Sequence, residues 1–289
     1  MSEAIHQERA RLLISCPDRP GIVRAVSTFL HQEEANIVQS DQYSTDPKGG
    51  MFFMRVVFDF PSEQKIEALR TAFEQVGVQF GMHWRMTLAA EKKRMAIFVS
   101  KEDHCLLELL WRHKNGELNV DIPVVVSNHE SLRSTVESYG LSFYHIPVQK
   151  ERKREAEQQA VEVLHAHNVD VVVLARYMQI LSPEFVESFP NQIINIHHSF
   201  LPAFIGANPY KKAFERGVKL IGATAHYVTD DLDEGPIIEQ DVLRVNHRHS
   251  AEDLRVAGRN VEKISLARAV EWHVDDKVLV FGNKTVVFN

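Results

Sequence analysis

The chain has 289 residues, of which 44% are hydrophobic, and its formal net charge is −6 at neutral pH. This length suits one large or two ordinary domains, and the hydrophobic fraction is sufficient for buried cores. The charge is spread without a basic block, which argues against nucleic acid as a partner, and no apolar run is long enough to cross a bilayer. Because the N-terminus is polar and lacks an apolar signal core, we expect a cytoplasmic protein. Cys16 and Cys105 lie far apart and outside any Cys-x-x-Cys pattern, so neither a disulfide framework nor a cysteine-rich zinc site is expected.

The first 90 residues predict a small sandwich in which two helices cover one antiparallel sheet. An apolar run stops at a Pro-Asp-Arg-Pro-Gly turn, and apolar residues then recur at helical spacing from Ile22. Ser62 is a candidate N-cap for a second helix that carries Ile66 and Leu69. The predicted elements are strand 10–16, the first helix from residue 22, strands 36–44 and 51–60 around a hairpin loop at 46–50, the second helix, and strand 78–88. This βαββαβ order is that of a ferredoxin-like domain.

A short charged joint, Glu-Lys-Lys-Arg at residues 91–94, predicts a linker between a domain at 1–90 and a second domain at 95–289. Beyond the joint, apolar strands alternate with amphipathic helices. The predicted strands are 96–100, 122–127, 142–146, 169–174 and 193–196, and the predicted helices are 106–113, 130–139, 154–167 and 183–189. Such alternation predicts a Rossmann-like α/β domain with a mainly parallel sheet, whose ligands gather at the carboxyl ends of the strands.

The last part of the chain predicts a long helix and a closing hairpin. Ser250 and Asp253 have capping-box spacing, with Asp in place of the usual Glu, and the helix that they open extends to about Trp272. Two apolar runs at 278–281 and 285–288 flank a Gly-Asn turn and predict the hairpin.

Polar side chains suited to carbonyl chemistry come at the end of the strand predicted at 193–196. Asn195 and His197 lie there, and a later loop that closes on Gly-Pro can bring Asp233 over them. An amide N–H can stabilise an oxyanion, an imidazole can carry a proton, and a carboxylate can orient or deprotonate a nucleophile. Ser199 lacks the Gly-x-Ser-x-Gly flanks of a serine nucleophile, so we expect water or a substrate amine to attack.

These motifs resemble the signature of the folate-dependent formyltransferase fold. The matching residues are Asn195-Ile196-His197, Ser199, Leu201-Pro202 and Asp233-x-Gly235-Pro236. The doubled His197-His198 and the later Gly-Ala-Thr-Ala-His-Tyr run make the chain most similar to the formyltetrahydrofolate deformylase family within that superfamily. The resemblance implies hydrolysis of 10-formyltetrahydrofolate to tetrahydrofolate and formate, which supplies formate for one-carbon metabolism and purine synthesis. It also implies that Asp233 orients and deprotonates water through a network with His197, while Asn195 and His197 stabilise the oxyanion.

The same resemblance implies which residues line the folate site. The segment from Arg176 to Leu181 matches the part that wraps the pterin ring, and the loop before Asp233 completes the site. The implied folate contacts are Met178, Ile180, Leu181, Thr229, Asp230, Asp231 and Leu232. Without the family, core packing would be the better interpretation of the three apolar residues, and a turn carboxylate would be the better interpretation of Asp233.

The N-terminal domain resembles the ACT family of amino-acid-sensing domains. The turn Asp18-Arg19-Pro20-Gly21 and the run Ala35-Asn36-Ile37 at the start of the second strand carry this resemblance. It implies an amino-acid effector near Gly21 and Asn36, and a homo-oligomer that forms through this domain. The alternative is that Pro20 and Gly21 only start the helix.

No metal is expected at the site, and the folate substrate is the only cofactor implied. His197, His198, His226 and Asp233 offer ligand atoms, but adjacent histidines on an extended chain point to opposite faces. No His-Glu-x-x-His spacing is present either. A structural role for His198 stays open beside a functional one.

The turn after the first strand of the second domain, Lys101-Glu102-Asp103-His104, bears on the acceptor. Relatives that formylate glycinamide ribonucleotide hold the substrate phosphate here, which favours a Gly-rich turn, whereas this turn carries two carboxylates and no glycine. We therefore expect water as the acceptor. Formyl transfer to a small amine remains the enzymatic alternative, and an amino-acid-responsive protein without catalysis is the non-enzymatic one.

Overall fold

The computed structural model describes residues 7–46, 48–62, 65–203 and 209–289, which form two units. The N-terminal unit contains the described residues up to Lys92 together with Asp275–Leu279 and Val286–Asn289. The C-terminal unit contains the described residues of Lys93–Val274 together with Val280–Thr285. Within the described residues, no helix is both long and apolar enough to cross a membrane.

The N-terminal unit has the predicted βαββαβ order. Its elements are β1 (Gln7–Pro17), α1 (Ile22–Gln32), β2 (Asn36–Ser44), β3 (Met51–Pro61), α2 (Ile66–Phe80) and β4 (His83–Leu88). The four strands form an antiparallel sheet in the order β2-β3-β1-β4. Alternate residues of β1, such as Leu12 and Ile14, are buried in one cluster with Val26 of α1 and Leu69 of α2, so the period-two and helical apolar patterns meet in a common core.

Two details of the N-terminal prediction change, and one of its residues lies outside the described part of the chain. The N-cap of α2 is Lys65, which makes no side-chain cap bond, so the prediction that Ser62 caps this helix is wrong. Residues 78–80 belong to α2 and not to the last strand, because the helix continues until Gly81 ends it in the left-handed conformation with φ of 61°. In the loop predicted at 46–50, Pro47 lies outside the described residues.

The residues after the last long helix complete the N-terminal unit through a buried charge cluster. Asp276 is 1% exposed, and its carboxylate accepts hydrogen bonds from Arg85 at 2.7 Å and from Thr87 at 2.9 Å. The backbone carbonyl of Asp276 accepts from Nε of Arg55, which is itself 3% exposed, at 2.9 Å. Arg11 Nη1 lies 3.6 Å from the same carboxylate. These contacts compensate charges that would be costly to bury alone.

The C-terminal unit is built on a seven-stranded sheet. Its elements are β5 (Lys93–Val99), α3 (His104–Lys114), β6 (Val120–Ser127), α4 (Arg133–Ser138), β7 (Ser142–His145), α5 (Lys153–Ala166), β8 (Val171–Leu174), α6 (Pro183–Glu187), β9 (Ile193–His197), α7 (Pro209–Arg216), β10 (Leu220–Tyr227), β11 (Ile237–Arg244) and α8 (Ala251–Val274). The hairpin strands β12 (Val278–Phe281) and β13 (Lys284–Val287) end the chain. The strand order is β11-β10-β9-β8-β5-β6-β7, in which β5 to β9 are parallel and β10 and β11 are antiparallel to their neighbours. The predicted mainly parallel α/β fold is confirmed.

The sheet topology places a crevice beside the ends of β5 and β8. The chain runs from β5 outward to β6 and β7, and then returns to add β8 and β9 on the other side of β5. In open α/β sheets, ligands bind outside the carboxyl ends of the strands at such a reversal. The segments that follow β5, β8 and β9 are therefore the ones that the fold brings to a site.

The helix α8 covers the antiparallel part of this sheet. Ser250 N donates to the Asp253 carboxylate at 2.8 Å and Asp253 N donates to Ser250 Oγ at 3.2 Å, so the predicted capping box is confirmed. The buried residues of α8 form a stripe that contacts β9, β10 and β11. This stripe contains Leu254, Gly258, Val261, Glu262, Ser265, Leu266, Ala267, Ala269, Val270 and Val274. A carboxylate in such a stripe needs partners, and Glu262 has them at the site.

Candidate active site

The strand β9 presents its two predicted polar residues on one face. Asn195 and His197 are two positions apart, so their side chains point to the same side of the sheet. In the antiparallel neighbour β10, His226 lies opposite Asn195, and Thr224 lies opposite His197. Because directly opposed residues share a face, the sheet brings Asn195, His197 and His226 together.

The loop between β10 and β11 delivers Asp233 to this face. Asp233 adopts φ of 58°, in the left-handed region that few residues other than glycine occupy. Two residues later, a Cβ on Gly235 would lie 1.9 Å from the carbonyl oxygen of Tyr227, so only glycine lets the loop pack so closely on β10. Asp233 Oδ2 lies 3.1 Å from His197 Nδ1, and Asp233 Oδ1 lies 3.6 Å from His226 Nε2.

The hydrogen bonds of His226 fix how Asn195 is held. His226 Nδ1 donates to the carbonyl of Tyr227 at 2.9 Å, because a carbonyl can only accept. In the neutral ring Nε2 is then an acceptor, and Asn195 Nδ2 donates to it at 3.2 Å. The second N–H of the Asn195 amide remains for another acceptor, so His226 orients the amide without using up its donors.

The neighbouring His197 keeps the carboxylate of Asp233 ionised. Partial burial raises the pKa of Asp233, but the hydrogen bond and charge of His197, whose Nδ1 is 3.1 Å away, outweigh burial, so the pKa lies well below its usual range. His197 Nδ1 therefore donates to an ionised carboxylate. His197 Nε2 is buried and has no hydrogen-bond partner among the residues that the structure describes. The centre combines a fixed anion, an imidazole and an oriented amide.

The side chain of His198 lies against His197, contrary to the expectation that the two rings point to opposite faces. Their ring centroids are 5.2 Å apart with an interplanar angle of 19°. The expectation assumed continuous extended chain, but β9 ends at His197 and the chain bends there. Burial, together with the nearby charge of Arg176, lowers the pKa of His198 to about 4, so its ring is neutral at neutral pH.

A cavity of about 680 Å³ opens on these residues, and one of its walls contains the implied folate contacts. All seven line it: Met178, Ile180, Leu181, Thr229, Asp230, Asp231 and Leu232. Met178 is 56% exposed and Ile180 is 59% exposed, so core packing does not describe these two residues. Exposed apolar side chains beside backbone polar groups suit a flat heteroaromatic ring.

A polar wall of the same cavity was not predicted from the sequence. Glu262 of α8 accepts from His104 Nε2 at 2.8 Å and from the Tyr210 hydroxyl at 2.5 Å, and Arg176 Nε lies 3.4 Å away. Burial raises the pKa of Glu262, but the bonds from His104 and Tyr210 and the charge of Arg176 outweigh burial and lower the pKa. The sequence signal that could have revealed this wall is Glu262 itself, a carboxylate at a position that belongs to the buried stripe of α8.

Glu102, in the acidic turn after β5, is paired with two arginines. Arg259 Nη2 donates to Glu102 at 2.6 Å, and Arg255 Nη1 lies 3.8 Å from the same carboxylate. Glu102 therefore does not present an uncompensated negative charge. The two arginines come from α8, far along the chain, and a local sequence pattern does not reveal them.

The donor set of the polar wall does not suit a cation. Among the described residues, the one group of three close ligand atoms is His104, Cys105 and Glu262, with all atoms within 4.8 Å of one another. Arg176 places a positive charge beside this group, and burial raises the pKa of the Cys105 thiol well above its usual range, so a thiolate is disfavoured.

Comparisons with known proteins agree with this architecture. The Formyl transferase family model matches residues 93–270, and the ACT domain model matches residues 10–74. A formyltetrahydrofolate deformylase of Bacillus subtilis (strain 168) is 58% identical over 98% of this chain and 95% of its own length. The crystal structure of a formyltetrahydrofolate deformylase from Pseudomonas syringae pv. tomato str. DC3000 has a TM-score of 0.94 and 49% identity, covering 98% of this chain and 95% of that one.

A more distant structure matches only part of the chain. Glycinamide ribonucleotide transformylase 1 from Symbiobacterium toebii has a TM-score of 0.66 and 28% identity, covering 70% of this chain and 97% of that one. The relatives named deformylase thus match nearly the whole length, including the N-terminal unit, whereas this transformylase does not. The chain belongs to the formyl transferase family, and it carries an ACT domain ahead of the family's catalytic fold.

Proposed function

We propose that the chain is a formyltetrahydrofolate deformylase, which hydrolyses 10-formyltetrahydrofolate to tetrahydrofolate and formate. The observation that carries the proposal is the cluster of Asn195, His197 and Asp233 beside the wall of the 680 Å³ cavity. An amide donor, an imidazole and a carboxylate are the groups that addition of water to a formyl carbon requires. The similarity to relatives named formyltetrahydrofolate deformylase along almost the whole chain supports the same conclusion.

The folate would bind with its pterin ring against the wall at Met178–Leu181 and Thr229–Leu232. The backbone of this wall is fixed at one point by Ser100, whose Oγ accepts from Met178 N at 3.0 Å. Apolar side chains would cover the faces of the ring, and backbone groups would meet the donors and acceptors at its edge. The formyl group would then lie at the cluster.

The proton of the attacking water would pass to the Asp233–His197 pair. Asp233 is ionised and partly exposed, so one of its oxygens can accept a hydrogen bond from water and orient it. A carboxylate whose pKa is held low is a weak base on its own, and the neighbouring imidazole is the stronger one. We therefore assign the proton to the coupled pair and not to Asp233 alone.

Asn195 and protonated His197 would stabilise the tetrahedral oxyanion. The Asn195 N–H that His226 does not use is the available amide donor, and its orientation is set before reaction. Collapse of the intermediate breaks the bond between the formyl carbon and the folate nitrogen, and this nitrogen takes the proton that the pair received. The products are formate and tetrahydrofolate.

Release of formate without any amine tests the proposal. The purified chain is mixed with 10-formyltetrahydrofolate alone, and formate and the folate absorbance change are followed together. Equal amounts of formate and tetrahydrofolate are expected. If formate appears only after an amine is added, the chain is a transferase and the proposal fails.

Two variants test the assignment of the centre. His197→Ala and Asp233→Asn are each expected to lower kcat on the order of a hundredfold or more, because each removes a group that acts in the transition state. Asp121→Asn is the matched control, since Asp121 is a half-exposed carboxylate on β6. Near-normal turnover by either site variant would contradict the assignment.

We further propose that the N-terminal unit binds an amino-acid effector near Gly21 and Asn36 and mediates a homo-oligomer. The ACT domain match to residues 10–74 supports this. Gly21 starts α1 with φ of 100°, and an added Cβ would meet only the Phe80 ring at 3.9 Å, so the conformation rather than crowding requires glycine. Thermal melting with each common amino acid, and sedimentation of the chain alone, test the two parts. No shift with any amino acid, or a monomer, would contradict them.

A further inference from the structure

Arg176 adopts an unfavourable conformation, and the catalytic steps at the centre do not explain it. It follows β8 with φ of 64°, in the left-handed region that is unfavourable for a residue with a Cβ. Its Nε and Nη1 are buried and lack hydrogen-bond partners within the part of the chain that the structure describes. Strained backbone and unmet buried donors concentrate at functional sites, where the surrounding structure maintains them.

The polar wall fixes the guanidinium of Arg176 in place. Glu262, 1% exposed, lies 3.4 Å from Arg176 Nε, and the same carboxylate is fixed by His104 and Tyr210. Tyr210 in turn packs on Gly258, where a Cβ would lie 2.0 Å from its hydroxyl. The first turns of α3 and α7 are therefore joined to the middle of α8 at one carboxylate, which holds the guanidinium of Arg176 in place.

The geometry indicates that Arg176 occupies space in the polar wall and does not bind a ligand. A guanidinium that received an anion such as formate would present its free N–H groups to the cavity, whereas two of the three nitrogens of Arg176, Nε and Nη1, are closed to solvent. A carboxylate, Glu262, already lies beside it. The charge of Arg176 nevertheless reaches the centre, because it contributes to the lowered pKa of His198, whose ring stacks on His197.

An acceptor must approach the formyl carbon from the part of the cavity that the folate does not fill. Water occupies about 30 Å³, whereas an amine acceptor is larger and is mostly a cation at neutral pH. A fixed guanidinium in the polar wall opposes such an amine chiefly by its volume, because Glu262 at 3.4 Å offsets much of its charge. We propose that Arg176, held by Glu262, is a specificity-determining residue that excludes amines and leaves water as the acceptor; this rests on the proposed deformylase function.

Competition between water and an amine tests the proposal. Glycinamide in excess is mixed with 10-formyltetrahydrofolate and enzyme, and formate and N-formylglycinamide are measured by mass spectrometry. In the transfer reaction, the amine nitrogen bonds to the formyl carbon, the bond from this carbon to the folate nitrogen breaks, and the folate nitrogen takes the amine proton. Arg176→Gly, which suits the left-handed backbone, is expected to raise the ratio of formylated amine to formate by at least about tenfold. Arg176→Lys keeps a cation there and is the matched control, with a ratio near that of the parent.

The outcomes separate this proposal from the deformylase function. An unchanged product ratio in Arg176→Gly overturns the exclusion by Arg176, whereas a parent chain that releases no formate without amine overturns the function itself. Glu262→Gln keeps Arg176 but removes the charge that holds it, and serves as a second test if Arg176→Gly does not fold. A raised ratio in Glu262→Gln supports the proposal, and an unchanged one overturns it.

Discussion

Replacing Gly235 by alanine tests whether the loop between β10 and β11 sets the position of Asp233. The new Cβ would lie 1.9 Å from the Tyr227 carbonyl oxygen, whereas ordinary contacts begin at 3.4 Å. The loop and the end of β10 must therefore move apart by about 1.5 Å, and displacements on the order of 1 Å typically cost roughly a hundredfold in rate. The hydrogen bond from Tyr227 N to Pro236 O, 2.9 Å long, would be lost as well. We expect kcat to fall about a hundredfold and the free energy of unfolding to fall by about 1–3 kcal/mol.

The assay compares formate release with urea unfolding of the same preparation. Gly140→Ala is the control, since Gly140 has φ of 77° and nothing within 4 Å of an added Cβ. It should cost about 1–2 kcal/mol through backbone strain and leave turnover by the folded protein unchanged. Gly235→Ala with the parent's kcat and unfolding midpoint would refute the reasoning, because the loop would then have absorbed the side chain without moving Asp233.

Three further variants probe other parts of the structure. His226→Ala removes the acceptor that orients Asn195, so kcat should fall on the order of tenfold to a hundredfold with little change in KM, measured by steady-state kinetics. Because the pKa of His198 falls from 6.5 to about 4 on folding, the unfolded chain binds the extra proton between these values. Stability should drop as the pH falls through that window, by at most about 3 kcal/mol, and His198→Gln should flatten the drop in urea unfolding at each pH. Asp276→Asn removes a buried anion that compensates the largely buried Arg11 as well as Arg85, and should cost about 3–5 kcal/mol in urea unfolding of the full chain.

Each of these three has a result that contradicts it. An unchanged kcat in His226→Ala would show that Asn195 needs no partner. If the stability of His198→Gln depends on pH in the same way as that of the parent, the loss of stability at acid pH arises from other groups. Asp275 is the control for Asp276, since its side chain is 27% exposed and Asp275→Asn should cost less than 1 kcal/mol or so. Equal losses of unfolding free energy in the two variants would show that burial of Asp276 adds nothing to stability.

Local patterns in the sequence were sufficient for the order of the elements up to β9, for the last helix and hairpin, and for part of the centre. Buried parallel strands such as Val171–Leu174 are continuous apolar runs, and their alternation with helical periodicity predicts the sheet. Asn195 and His197 are two residues apart, so their shared face follows from strand geometry alone. The helix end at Gly81 was misplaced because Val78 and Phe80 suit either a helix or a strand.

The remaining features depend on register and on distant parts of the chain. The strand β10 lies antiparallel beside β9, and His226 lies opposite Asn195. This pairing joins residues that are 31 positions apart, and no local pattern in the sequence encodes it. The polar wall joins Glu262 to His104, 158 residues earlier, and the acidic turn meets Arg259, 157 residues later. Charges of opposite sign attract across the fold, whereas a sequence pattern relates each charged residue only to its neighbours along the chain.

The charge cluster around Asp276 has a consequence for the order in which the protein is made. Arg55 leaves the ribosome 221 residues before the aspartate whose carbonyl it bonds, and Arg85 precedes it by 191. At synthesis rates of about 5–20 residues per second, roughly 10–45 s pass between the synthesis of these arginines and the synthesis of Asp276. The unit that is translated first is thus completed last, and a nascent chain or fragment that stops before residue 275 lacks both aspartates of the cluster.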